Sequence, residues 1–129
     1  MNSLQGLIKA DAREIPLRDE CVQTCVTSPP YWGLRDYGIP PSIWDGDPEH
    51  EHVFGELLRR KGGAGNQGIN GQRAGRSSHE ASRQHGQQQG QFCECGAWRG
   101  CLGLEPTYLL YVEHMVQVFR EVWLSLIHI

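Results

Sequence analysis

From Gly62 to Gln91 the chain runs through Gly, Gln, Ser and Arg, with no aromatic residue and a single acid, Glu80. Such a run buries too little apolar surface to offset the entropy of ordering it. It reads as a disordered or loosely tethered insertion, and the rest of the 129 residues must fold around it. With 39% hydrophobic residues and 16 Gly, that remainder holds one modest core at most. Half of the 12 Lys and Arg cluster at or inside the insertion: Arg59, Arg60, Lys61, Arg73, Arg76 and Arg83. A solvated linker and a basic arm that tracks a phosphate backbone both fit this pattern. The formal net charge of -3 excludes a chain that is basic as a whole.

No apolar run reaches the about 18 residues of a membrane-spanning helix. Met1 to Ala10 has no apolar block that ends in a small-residue cleavage site, so no secretory signal is expected. A cytoplasmic setting follows, and five Cys without an export signal point to reduced thiols or a metal site.

Leu7-Ile8-Lys9-Ala10 is a short strand candidate ending at Asp11, and Cys21 to Thr27 reads as a buried strand of a parallel sheet. The second run stops at Ser28-Pro29-Pro30-Tyr31-Trp32-Gly33, where two prolines force a loop at a strand's carboxyl end. Ligands bind along that edge in open α/β sheets. Tyr108, Val112, Met115, Phe119 and Val122 lie on one helical face, and Pro106 suits the helix's first turn. That stripe is expected to pack in the core, with His114 on the helix surface.

The chemistry concentrates in Thr27 to Trp32. The exocyclic nitrogen of cytosine N4 or adenine N6 is a poor nucleophile, because its lone pair is delocalised into the ring. Two acceptors on its N–H bonds favour a more tetrahedral nitrogen. The Ser28 hydroxyl and the Pro29 carbonyl are candidates for that role, and Pro30 stiffens the corner. Tyr31 offers a flat face for an extruded base. Asp11 is placed to accept hydrogen bonds from a nucleotide-like ligand.

Leu7 to Ala12 and Val22 to Tyr31 resemble the start of an amino-group DNA methyltransferase of the N4-cytosine/N6-adenine family, in the permuted, β-type order. Trp32 to Gly38, and Leu102 to Thr107 with the helix behind it, resemble later stretches of a phage-like or restriction-associated branch. The resemblance implies an α/β fold: a partial, truncated Rossmann-like S-adenosylmethionine-dependent methyltransferase fold interrupted by the Gly/Gln/Arg-rich insertion. It implies methyl transfer from S-adenosylmethionine to a flipped base in double-stranded DNA. Ser28, Pro29, Pro30 and Tyr31 would be the catalytic loop and Asp11 a cofactor contact. Ser rather than Asp at position 28 leans towards cytosine N4, with adenine N6 as the alternative. A bacterial, archaeal or phage source and a restriction endonuclease partner are further implications. Enzymes acting on protein glutamine or RNA usually carry Asn at the position of Ser28.

The family's Gly-rich cofactor turn is not found. Gly63-Ala64-Gly65-Asn66-Gln67-Gly68 matches Gly-x-Gly-x-x-Gly literally but follows Arg59-Arg60-Lys61 rather than a strand, so it is rejected. The ending Leu124-Ser125-Leu126-Ile127-His128-Ile129 is similar to the translation of a transposase mosaic-end sequencing adapter, so native sequence is expected to stop near Trp123. A fragment of this kind is expected to be inactive alone. The resulting division is 1–47 for the catalytic-loop part, 48–104 for an insertion with its flexible loop at 62–91, 105–123 for a helix, and 124–129 for the adapter-derived tail.

His50-Glu51-His52 and Cys93-Glu94-Cys95 flank the insertion. Two His and two Cys form a tetrahedral zinc set by composition, and a metal clip would close the long excursion. One residue between the Cys ligands is tighter than the usual two to four. Cys21 and Cys25 read as small buried apolar residues. A non-enzymatic, zinc-ribbon-like DNA-binding module is the competing reading.

Overall fold

The computed structural model describes residues 6–59 and 88–126. They divide into two compact units, Met1–Pro29 with Val112–Ile129 and Pro30–Tyr111. The core of the insertion, residues 60–87, and the end of the tail, 127–129, lie outside the described residues.

In the unit Pro30–Tyr111, three short strands form an antiparallel sheet in the order β1-β3-β2: β1 Ser42–Trp44, β2 Gln91–Phe92 and β3 Trp98–Gly100. Trp44 pairs with Trp98 in register, and alternation along β3 turns Trp98 and Gly100 inward and Arg99 outward. Trp98 is fully buried, and its indole N–H donates to the Gln89 carbonyl at 2.9 Å. Trp44, Cys93, Ala97 and Leu104 complete this small core. Residues 88–91 of the expected loop pair with the chain ahead of the insertion in one antiparallel register. Arg59 bridges Gln88, Phe54 bridges Cys93, and the Leu58 and Gly55 N–H groups donate to the Gly90 and Phe92 carbonyls.

Helix α1, Tyr108–Ser125, starts three residues and ends two residues later than its sequence limits of 105 and 123. Thr107 is its cap: the Thr107 hydroxyl accepts the Leu110 N–H, so Pro106 precedes the cap instead of filling the first turn. The buried face is not the expected one. Tyr108, Val112 and Phe119 are exposed, whereas His114 is fully buried and Ser125 nearly so. Buried and half-buried positions fall at 110, 111, 114, 115, 117, 118, 121, 122 and 125, so the inward face overlaps the expected apolar stripe only at Met115 and Val122. Ser125 turns inward because its hydroxyl donates to the Glu121 carbonyl, while its own carbonyl accepts the Cys21 and Val22 N–H groups.

The expected parallel strands do not form among the described residues. Leu7 is fully exposed, Val26 and Cys25 are exposed, and of 21–27 only Val22 makes a bridge, parallel to Leu126. A parallel strand is stable only between paired neighbours under covering helices. The described residues supply no such neighbours, and their strands are antiparallel.

Candidate metal centre and proline corner

Two groups of sequence-predicted residues meet different fates. His50, His52, Cys93 and Cys95 come together: their ligand atoms all lie within 4.8 Å of one another. The register explains it. Phe54 opposite Cys93 brings the segment of His50 and His52 beside the hairpin turn that carries Cys95. The single residue between the cysteines suits a hairpin turn, with Cys93 at its start and Cys95 at its tip.

The loops at either end hold the donors. Asp47 accepts the Glu49 N–H on its carboxylate and the His50 N–H on its carbonyl, which curls the chain into the first histidine. Across from it, the Cys93 N–H donates to the Ala97 carbonyl and the Gly96 N–H to the Cys93 carbonyl, closing a tight turn around Cys95. Gly46, at φ 76°, lets that turn approach, since a Cβ there would lie 2.6 Å from the Ala97 Cβ. The Cys95 thiol sits 3.3 Å from His52 Nδ1. Its pKa is held below the ordinary thiol value, chiefly by the backbone of Asp47 and further by that of Ala97 and the Cys93 side chain. Burial opposes this without reversing it. Stabilised thiolate is what a metal ligand needs. Zinc bond lengths near 2.0–2.3 Å put tetrahedral donors roughly 3.3–3.8 Å apart, so the set closes on an ion by about 1 Å of contraction. The residues fit a metal, and His50, His52, Cys93 and Cys95 would hold it. Cys101 stands outside the set: its thiol donates to the Ile39 carbonyl and its pKa is raised by burial, then by Asp36 and Glu105.

The proline corner is exposed, not cored. Ser28 and Tyr31 face solvent, Tyr31 at 64%, and Pro29 and Pro30 are half-buried. Among the described residues, no hydrogen bond engages the Ser28 hydroxyl or the Pro29 carbonyl. The Pro30 carbonyl accepts the Tyr111 hydroxyl at 2.8 Å. Asp11 is committed locally: Arg13 donates to its carboxylate from the backbone N–H at 2.9 Å and from the guanidinium at 3.0 and 2.6 Å. Those contacts lower the Asp11 pKa, with the guanidinium hydrogen bonds first among the causes.

Three residues escaped the sequence reading: Gly103, Glu105 and Tyr111. Glu105 is 1% exposed, and its carboxylate accepts the Gly103 N–H at 2.8 Å. The available signal was Gly103-Leu104-Glu105-Pro106, an acid within an otherwise apolar turn ahead of a helix. No helix among the described residues is long and apolar enough to cross a membrane. No family model, curated protein or solved structure matches the chain.

Proposed function

We propose that the chain is the acceptor-base end of an amino-group DNA methyltransferase with an α/β, Rossmann-like parent fold, and that its inserted module is clipped by zinc. The observation that carries the first part is the Thr27–Trp32 string, with Ser28 and Tyr31 solvent-facing and the Ser28 hydroxyl and Pro29 carbonyl uncommitted among the described residues. Those two oxygens would accept the two N–H bonds of a flipped base, and Tyr31 would stack on its ring. Cytosine N4 is favoured over adenine N6 by Ser28.

The donor finds no complete seat among the described residues, since Arg13 already engages both Asp11 oxygens. This chain's own residues would therefore bind and orient the acceptor amine. Duplex DNA is the proposed partner, in a cytoplasmic bacterial, archaeal or phage setting, with a restriction endonuclease as a further partner of the system. The test is nucleoside mass spectrometry of duplex DNA treated with the complete parent protein and S-adenosylmethionine. N4-methylcytosine is expected, and it is expected to vanish in Ser28→Ala. N6-methyladenine would move the assignment to adenine, and no methylated base would overturn it.

The donor cluster favours a second reading, a zinc-held DNA-binding module in which the corner is only structural. On that reading Ser28→Ala changes nothing, while Cys93→Ser removes both zinc and salt-dependent DNA binding.

A further inference from the structure

Three features fix the backbone on both sides of Tyr31. The Tyr111 hydroxyl donates to the Pro30 carbonyl at 2.8 Å, the Trp32 indole N–H to the Glu105 carbonyl at 2.9 Å, and the Gly33 N–H to the Gly103 carbonyl at 2.7 Å. The acceptor loop is itself tied from within, by the Gly103 N–H on the buried Glu105 carboxylate. Gly103 adopts φ 93°, and a Cβ there would sit 3.1 Å from the Pro30 Cβ, so the two loops touch backbone to backbone. The Trp32 ring also meets Tyr108 edge-on at 6.2 Å. Every neighbour of Tyr31 is thus anchored, yet its own ring is 64% exposed. An aromatic ring that adds nothing to the core, carried on backbone fixed at both sides, is a pre-ordered contact surface. A ligand that stacks on it does not pay again for ordering the loop.

We propose that Gly103–Glu105 and Tyr111 form a buckle that holds the Pro30–Gly33 corner and presents Tyr31 as a rigid nucleobase platform, making Glu105 and Tyr111 positioning residues. The proposal rests on the reading of Tyr31 as a base-stacking residue. Burial, with Glu105 and Tyr31 adding, pushes the Tyr111 phenol above its ordinary value, so it keeps its proton and stays a donor at neutral pH.

The test uses the full chain, metal-loaded, and a single-stranded oligonucleotide carrying one 2-aminopurine, whose fluorescence falls when it stacks. The wild-type chain is expected to quench it. Tyr31→Ala should weaken binding about tenfold and abolish the quench. Tyr111→Phe and Glu105→Ala should each weaken binding severalfold and leave residual fluorescence at saturation, with metal content and cooperative unfolding retained. Glu105→Gln should restore the quench, because its amide oxygen still accepts the Gly103 N–H. Should Glu105→Ala fail to fold, Tyr111→Phe, which deletes one hydroxyl, decides alone. If Tyr31→Ala weakens binding while Tyr111→Phe and Glu105→Ala bind and quench like wild type, the buckle is refuted and the platform stands. If the wild type does not quench, or Tyr31→Ala is without effect, the base-stacking reading fails and the buckle with it.

Discussion

Gly103 and Tyr111 carry the sharpest single-residue expectations. Gly103→Ala forces a Cβ into a left-handed backbone and against Pro30 and the Tyr31 carbonyl. The cost should be about 1–3 kcal/mol, read as a lower urea midpoint in tryptophan fluorescence. An unchanged midpoint would mean the two loops part freely. Tyr111 adds a pH signature. Its folded pKa lies above the unfolded value, so its contribution is fully present below the ordinary phenol range near 10 and is lost as pH rises through the folded pKa. Urea midpoints of the wild type should therefore fall relative to those of Tyr111→Phe above about pH 10; parallel curves would contradict the half-buried, hydrogen-bonded phenol. Asp11 has the opposite sign, with stability present above the ordinary carboxylate range and lost as pH falls through its lowered pKa. Because its ion pair with Arg13 is largely exposed, that effect should be small.

At the scale of elements, the metal-binding pairs test the register. Purified protein is expected to carry one zinc, and His52→Ala or Cys95→Ser should each lower that stoichiometry by elemental analysis. Gly46→Ala should weaken zinc binding without removing a ligand, because its Cβ collides with Ala97 beside Cys95. Affinity should fall on acidification, since imidazolium and thiol groups must lose protons to bind. The identity of the four donors was legible in the sequence from residue type alone. Their geometry was not, because it depends on Phe54 pairing with Cys93 across the insertion, a long-range register that no local spacing encodes. The helix shows the same limit. The existence of α1 follows from its periodicity, but which face is buried depends on partners. The Ser125 backbone carbonyl receives Cys21 and Val22 there, and turns a polar residue inward where spacing alone favours the apolar stripe. The expected parallel strands fail for a related reason, as β-rich composition supplies no hydrogen-bonding neighbour.

For the whole molecule, the consequence of the metal cluster is topological. His52 and Cys93 bracket the insertion, and the ladder from Arg59 and Gln88 inward to the cluster already brings its ends together. Closing a loop of that size costs entropy that grows only slowly with length, so a long basic excursion is tolerated if its base is clamped. The clamp has two parts, the antiparallel ladder with β1-β3-β2 and the metal. Cutting the excursion separates their contributions. Trypsin has sites at Arg73, Arg76 and Arg83, within the stretch the sequence marks as loosely tethered. Limited digestion should give a nicked protein that elutes as one species while zinc is bound, because the halves contribute two ligands each. Chelation removes the metal crosslink and leaves the short strands, the contacts of Pro30–Gly33 with Gly103, Glu105 and Tyr111, and the Ser125 carbonyl with Cys21 and Val22 as the hold between halves. The nicked, chelated protein should then separate at a denaturant concentration that the zinc-bound form survives, with a midpoint that depends on protein concentration. Halves that part while zinc remains stoichiometric would show that the ion does not bridge them, and resistance at all three arginines would contradict the loosely tethered reading. The same cut tests the basic arm. If its charges engage phosphates, excising 62–87 should weaken duplex binding and flatten its salt dependence by roughly one charge-equivalent per lost contact, with the zinc content untouched.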